Sequence, residues 1–181
     1  NAVAMDVIGP AKMLEVIAGD VVDMEVYATY TTYSGNNSTT VSGNQLIGAI
    51  AAAFTPAGAT SETTQQIFEQ FNMNGAGAGL VSGTPDAGAP AAYLNFILYD
   101  ANFNYLDAGF KPTTSAGATG FIKVSFAPLP INQRGYLYIY VSNETMDNVN
   151  VHFDDFKITH HKSRILQMDD YYPFGLTFNS Y

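Results

Sequence analysis

The chain has 181 residues, of which 7 are basic and 16 acidic, so its formal net charge is −9 at pH 7. Such an acidic chain repels polyphosphate and anionic lipid, so nucleic acid and membrane surfaces are not expected as partners. The sequence has no cysteine, which excludes disulfides and thiol chemistry. Its length indicates one domain, and an aromatic content of 13%, all tyrosine and phenylalanine, favours β-structure.

The first two predicted strands flank the turn AGD at positions 18–20. In the second strand, the residues from Val22 to Ala28 have apolar side chains at even positions and polar or aromatic ones at odd positions. A period of two places these two sets on opposite faces of the strand. The pattern is typical of a half-buried antiparallel strand.

Residues 34–89 change in character to glycine, alanine, serine, threonine and asparagine. Two segments in this region have apolar residues at helical spacing, and they contain Leu46, Ile50 and Phe54 in the first and Ile67, Phe68 and Phe71 in the second. We therefore predict a short helical insertion that packs on one edge of the sheet. The stretch NGAGAGLVSGTPDAGAP is too rich in glycine and proline for a regular element and is predicted to be a loop.

Strand patterns return at Ala91. The stretch AAYLNFILYDANFNYLDAGF predicts two strands joined by an Asp-Ala-Asn turn, with Leu94, Phe96 and Leu98 on one face of the first strand. The stretches GFIKVSFAPLP, GYLYIYVSNE and VNVHFDDFKITH follow at the spacing of about 8–12 residues that is expected of a sandwich or barrel. About seven or eight strands result, which is enough for two packed antiparallel sheets.

The hairpin LNFILYDANFNYLDAG, the strand GYLYIYVSN and the closing strand VHFDDFKIT together resemble the jelly-roll β-sandwiches of carbohydrate-binding modules in the galactose-binding-like superfamily. The resemblance implies an all-β fold, a jelly-roll β-sandwich of two antiparallel sheets, over residues 1–168. The helical and glycine-rich insertion at about 34–89 interrupts that module. The resemblance also implies a glycan or polysaccharide as the ligand.

The tail DDYYPFGLTFNSY, residues 169–181, is similar to the junction that precedes the core domain of RHS/YD-repeat proteins of Bacteroidetes, which are large secreted or cell-surface proteins. In that family, YYPFG marks the start of the RHS-associated core. The resemblance implies that this chain is a module of a longer RHS-type polypeptide, secreted or displayed on a bacterial cell surface. The N-terminus has no basic region followed by an apolar one, so an export signal is expected outside this chain.

The sequence lacks the motifs of the common enzyme classes. It has no G-x-S-x-G, H-E-x-x-H or P-loop motif and no cysteine nucleophile. The three histidines are His152 in the closing strand and His160 and His161 at its end, without the further ligand at short, regular spacing that zinc needs. We therefore expect a non-catalytic protein.

Asp154 and Asp155 are adjacent carboxylates in the last of these predicted strands. Neighbours on a strand point to opposite faces, so the pair cannot flank one glycosidic bond. Asp155 shares its parity with the apolar Val151 and Phe153, so it is expected to face the core and to need a partner there, whereas Asp154 is expected to face solvent. That partner is either a calcium ion or a set of hydrogen-bond donors from the protein.

In the resembling modules, a structural calcium ion often binds the closing-strand aspartate together with groups near the start of the fold. By this resemblance the candidate calcium ligands are Asp155 and Asp154. Asp20, Asp6 and Glu15 are added from their positions near the start of the fold.

The strand GYLYIYVSN has tyrosines at alternate positions, so its aliphatic residues are expected in the core and its tyrosines on the outside. Sugars suit such a face, because their C–H surfaces stack on rings while hydroxyls find polar groups nearby. Cross-strand tyrosines also stabilise ordinary sheets, and the insertion could cover them. The candidate ligand-binding residues are Tyr27, Tyr93, Asn95, Tyr99, Tyr136, Tyr138, Tyr140 and Glu25.

The sequence therefore predicts a recognition or adhesion module resembling carbohydrate-binding modules, within a larger secreted or cell-surface protein of the RHS type. The alternative is a purely structural module that packs on the RHS core or shell and has no ligand of its own. No apolar run approaches the roughly 20 residues that cross a bilayer, so no membrane span is expected.

Overall fold

The computed structural model describes residues 7–31, 33–34, 50, 88–145, 149–163, 169–171 and 177–180. These residues form ten β-strands and a short 3-10 helix at Ser115–Ala118, and the strand pairs are antiparallel. In chain order the strands are β1 (Ile8–Val16), β2 (Val21–Tyr30), β3 (Ala92–Asp100), β4 (Tyr105–Pro112), β5 (Ile122–Ser125), β6 (Leu129–Pro130), β7 (Gly135–Asn143), β8 (Val151–His161), β9 (Asp169–Tyr171) and β10 (Thr177–Ser180).

The strands form two main sheets. Sheet A has the order β1-β7-β3-β4. Sheet B is centred on β2, which pairs with β8 along its length and with β5 and β6 over shorter segments. Because a strand has two edges, β5 and β6 share the edge of β2 that β8 leaves free. The prediction of an all-β sandwich with two antiparallel sheets is confirmed, while the jelly-roll connectivity stays a prediction.

The main core lies between the two sheets. β2 alternates between half-buried and buried residues along its whole length, as the period of two predicts. The fully buried side chains of this layer include Val22 and Val26 from β2, Leu94 from β3, and Leu137 and Ile139 from β7. Burial of each such side chain contributes about 1.5–3 kcal/mol, so this layer contributes substantially to stability.

A β-bulge interrupts β8 at Asp155. The register between β2 and β8 shifts by one residue between the positions of Glu25 and Tyr27. Asp155 has a φ of 48°, in the left-handed region that a bulge residue adopts. The extra residue resets the alternation, so that Phe153 and Phe156 both pack against the core. The prediction that Asp155 faces the core is therefore wrong, because the bulge places its side chain in solvent.

The predicted insertion lies almost wholly outside the described residues. Ile50 is an exception: it is helical, fully buried, and packs in a second apolar cluster with residues of β3 and β7. In the predicted tail at 169–181, β9 and β10 pair with each other. Within the described parts of the chain, no helix is both long and apolar enough to span a membrane.

Candidate functional site

The outer face of sheet A carries most of the predicted binding residues. The strand register places the side chains of this face in rows across the sheet from β1 to β4. The first row contains Glu15, Tyr136, Tyr99 and Tyr105; the second contains Met13, Tyr138, Ile97 and Ala108; the third contains Ala11, Tyr140, Asn95 and Phe110; the fourth contains Ile8, Ser142, Tyr93 and Pro112. The tyrosines of β3 and β7 are thus neighbours.

Most of this face is buried. Tyr140 is fully buried, and Tyr93, Tyr99 and Tyr138 are only 3–4% exposed. Burial raises the pKa of Tyr138 to about 12 and that of Tyr140 well above its ordinary value. The expectation that these four tyrosines face solvent is corrected: Tyr99, Tyr138 and Tyr140 pack in a second apolar cluster with Ile50, and Tyr93 packs against Phe110. Their part in ligand binding stays a prediction.

Tyr27 and Glu25 lie on the outer face of sheet B, on the other side of the sandwich. Glu25 pairs with Lys123 at 2.5 Å on β5 and with Lys157 at 3.6 Å on β8. The hydrogen bond from Lys123 is the main cause that holds the pKa of Glu25 below its ordinary value. Tyr27 and Glu25 therefore do not join the tyrosines of sheet A in one site.

The outer face of sheet A opens to solvent at its first row. Tyr136 is half-buried there, and Phe103 from the β3–β4 turn stacks on it, with ring centroids 4.4 Å apart and planes 5° from parallel. Phe103 is 48% exposed, so the side of its ring that faces away from Tyr136 is accessible. We call Phe103 and Tyr136 the aromatic platform.

The β3–β4 turn holds Phe103 in a strained backbone conformation. The φ of Phe103 is 60°, a left-handed value that costs residues other than glycine about 1–2 kcal/mol. The Asp100 carboxylate fixes the turn, because it accepts hydrogen bonds from the backbone N–H groups of Asn102 at 2.8 Å and Asn104 at 2.9 Å. It also accepts one from the Asn104 side chain at 2.9 Å, which is the main cause of the lowered pKa of Asp100. Strain of this kind concentrates at binding sites.

Polar groups lie beside the aromatic platform. Glu15 is the cross-strand neighbour of Tyr136 and accepts two hydrogen bonds from Arg134, at 2.7 Å from Nη2 and 3.2 Å from Nε. Both side chains are more than half exposed. Tyr105 closes the other end of the row and is half-buried. An open ring flanked by a guanidinium, a carboxylate and a phenol can bind a ligand that has both an apolar face and hydroxyl groups.

A buried polar chain lies at the opposite end of the same face. Asn95 Nδ2 donates to Ser142 Oγ at 2.9 Å, and Ser142 Oγ donates to Glu144 Oε1 at 2.8 Å. Burial raises the pKa of Glu144 to about 7, although the bond from Ser142 opposes that shift. The hydroxyl of Tyr140 is buried and has no hydrogen-bond partner among the described residues. Asn95, a predicted binding residue, is therefore part of an internal network.

Asp20 is buried and satisfied by protein donors. Its Oδ1 accepts a hydrogen bond from the Ser163 N–H at 2.7 Å, and its Oδ2 accepts one from the Ile17 N–H at 3.1 Å and lies 2.7 Å from His160 Nε2. Burial alone would raise its pKa, but these bonds outweigh it and lower the pKa of Asp20 to about 2. Asp20 therefore ties the β1–β2 turn to the end of β8.

The candidate calcium ligands lie apart. Asp154 is the cross-strand neighbour of Tyr27. Tyr27 lies seven residues after Asp20 in the chain, so at about 3.3 Å per residue Asp154 and Asp20 are roughly 20 Å apart. Asp154 and Asp155 are exposed, and Asp154 Oδ1 accepts the N–H of Asp155 at 2.8 Å. Among the described residues, no three acidic, histidine or cysteine side chains group as metal ligands would. These three carboxylates do not form one site, and calcium binding stays a prediction.

The sequence reasoning missed Phe103 and Glu144. The signal for Phe103 was a bulky aromatic residue between Asn102 and Asn104, in a turn where only small or polar residues are expected. Glu144 comes directly after β7, and its partial burial depends on tertiary contacts that no local pattern signals.

Comparison of the chain with protein-family models, with curated proteins and with solved structures found no match.

Proposed function

We propose that this chain is a non-catalytic carbohydrate-recognition module that binds its ligand on the aromatic platform. The observation that carries the proposal is the exposed ring of Phe103, which a strained and hydrogen-bonded turn holds against Tyr136. The left-handed backbone at Phe103 costs about as much as the contact with Tyr136 contributes, so the exposed ring adds little to stability. Because the ring is 48% exposed, it is available for binding at the surface of the molecule.

The chemistry of the platform suits a neutral sugar. The C–H face of a pyranose is apolar and stacks on the open side of the Phe103 ring, while its hydroxyl groups meet Glu15 and Arg134. The net charge of −9 disfavours strongly acidic polysaccharides. The ligand class is therefore a neutral glycan or polysaccharide, and the module serves adhesion or recognition.

We also propose that the module belongs to a longer, secreted or cell-surface RHS-type polypeptide. The support is the stretch DDYYPFGLTFNSY, which resembles the junction to the RHS core. In that setting the sandwich presents the aromatic platform to the environment, and the tail at 169–181 leads to the core.

A purely structural role is the second candidate. It is favoured by the burial of Tyr99, Tyr138 and Tyr140 in one cluster with Ile50, since these rings stabilise the sandwich. Under this alternative, the aromatic platform packs against the RHS core or shell and binds no glycan.

The test is a panel of neutral and acidic polysaccharides, measured against the wild-type chain, Phe103→Asn and Phe121→Asn. Asparagine tolerates the left-handed backbone at position 103, so the turn is kept. Phe121 is 55% exposed and precedes β5 in sheet B, which makes it a matched control for the loss of an exposed phenylalanine. Binding that is lost in Phe103→Asn and kept in Phe121→Asn supports the proposal. Absence of binding across the panel by the folded wild type contradicts it and favours the structural role.

A further inference from the structure

A cleft of about 400 Å³ lies where the edge strands of the two sheets meet. β1 is an edge strand of sheet A, and β8 is an edge strand of sheet B. The cleft is lined by Gly9 and Pro10 of β1, by Asn143, and by the five consecutive residues 149–153. Consecutive residues point alternately to the two faces of a strand, so a cleft that all five of them line runs along the strand edge.

The backbone groups of β8 that face this edge follow from its pairing with β2. The Thr31 N–H donates to the Asn150 carbonyl at 3.4 Å, so these two residues form a hydrogen-bonded pair. Such pairs alternate along an antiparallel ladder with pairs whose N–H and C=O groups point away from each other. Val151 lies opposite Tyr30, and Phe153 opposite Ala28, at those alternate positions. The N–H and C=O groups of Val151 and Phe153 therefore point away from β2 and toward the cleft.

The unpaired edge of β8 is short, because the backbone N–H at the next position already has a hydrogen-bond acceptor. The N–H of Asp155 would continue the row after Phe153, but Asp154 Oδ1 already accepts it at 2.8 Å. The bulge at Asp155 and the charged side chains of Asp154 and Lys157 further protect the rest of β8, as natural sheet edges usually are. Among the described residues of this edge, Val151 and Phe153 are the ones left available to a further strand.

We propose that this cleft binds an extended peptide segment of another protein, which adds as a short strand to Val151 and Phe153 of β8. Main-chain hydrogen bonds supply the affinity in this mode of recognition. On the β1 side of the cleft, Pro10 has no N–H to donate to a peptide. The strand that pairs with the peptide is therefore β8.

The charge of the chain selects the kind of peptide. A second copy of this chain would bring another net charge of −9, and it would place its own Asp154 and Asp155 near this edge. A basic segment is instead attracted, both by the net charge of −9 and by the exposed Asp154 and Asp155 that follow the cleft residues on β8. This site is independent of the aromatic platform, which lies at the other end of sheet A.

The test uses a fluorescent hexapeptide of alternating lysine and valine, with anisotropy as the readout. A second hexapeptide has the same sequence but carries N-methyl groups on alternate backbone amides, which removes strand pairing and keeps the charge. The protein variants are Val151→Pro, which removes one outward N–H at the first residue of β8, where proline is tolerated, and Val151→Thr, which keeps that N–H.

We expect the unmodified peptide to bind the wild type and Val151→Thr, and to bind Val151→Pro at least about tenfold more weakly. The methylated peptide is expected to lose binding to a similar degree. No binding of the unmodified peptide up to about 1 mM, or equal binding of the methylated one, overturns the proposal.

Hydrogen exchange gives a second measurement that does not depend on the variants. The bound peptide is expected to slow the exchange of the Val151 and Phe153 amides in the wild type by at least about tenfold, without slowing that of the Asp155 amide. Unchanged exchange at Val151 and Phe153 in the presence of bound peptide overturns the proposal.

Discussion

Phe103 and Tyr136 stack face to face although they come from a turn and from a different strand, with their ring planes 5° from parallel. The contact opposes the strain of the left-handed backbone at Phe103, since aromatic pairs contribute about 0.5–1.5 kcal/mol and the strain costs about 1–2 kcal/mol. The free energies of the ring contact and of the backbone strain nearly cancel, so Phe103 in this position is almost neutral for stability.

The substitution Phe103→Asn tests this balance. We expect the free energy of unfolding to change by less than about 1 kcal/mol, because asparagine relieves the strain while the ring contact is lost. Urea denaturation of the variant and of Phe121→Asn measures it. A loss of more than about 3 kcal/mol for Phe103→Asn alone would show that the ring is mainly structural.

Tyr138→Ala is expected to act on stability. Tyr138 is 4% exposed and stacks on Tyr140 with centroids 5.1 Å apart. Truncation of a buried aromatic side chain costs about 3–5 kcal/mol, so the midpoint of urea unfolding should fall sharply. Replacement by phenylalanine is the control and should recover most of the stability. A stable, fully folded alanine variant would contradict the burial of this face.

Asp20→Asn is expected to destabilise the protein by about 1–3 kcal/mol, because the buried carboxylate makes charge-assisted bonds to Ser163 and Ile17. The pKa of Asp20 is lowered to about 2, so its contribution is complete above the unfolded value of 3.8 and is lost as the pH falls toward 2. The stability difference between wild type and variant should therefore shrink between pH 4 and 2, roughly the span between these two pKa values. Chemical denaturation at both ends of that interval measures it, and a constant difference would contradict this role.

Glu144→Gln is expected to change the pH dependence of stability in the sense opposite to that of Asp20→Asn. The pKa of Glu144 is raised to about 7, above its unfolded value of 4.5, so its contribution is complete below 4.5 and is lost as the pH rises through 7. The wild type should therefore lose stability between about pH 4.5 and 7, the span between these two pKa values, and the glutamine variant should lose less. Thermal melts across that interval measure the effect, and parallel curves for the two proteins would exclude Glu144 as the titrating group.

Much of the fold could be predicted from periodicity. The alternation in β2 assigned its buried face correctly, and the same rule assigned Leu94 and Phe96 to the core. The rule failed at Asp155, because a bulge adds one residue without any change in the hydrophobic pattern that precedes it. The local sequence holds no glycine there to signal the left-handed conformation.

The candidate site could be predicted only in part. Periodicity placed Tyr136 and Tyr138 on one face, but it cannot tell a face that meets solvent from one that meets a second apolar layer. It also could not place Tyr27 in the other sheet, because strand order is set by contacts between distant segments. Phe103 lies in a turn, where no periodic rule applies.

The pairing of β1 with β7 and of β2 with β8 joins the first strands of the sandwich to strands more than 100 residues later in the chain. Asp20 and His160 are 140 residues apart in sequence, yet they are in direct contact. Chains with such distant pairings fold slowly, in milliseconds to seconds, because long loops must close before the contacts stabilise them. During synthesis, β1 and β2 emerge well before their partners, so the sandwich closes only after residues up to 161 have been made.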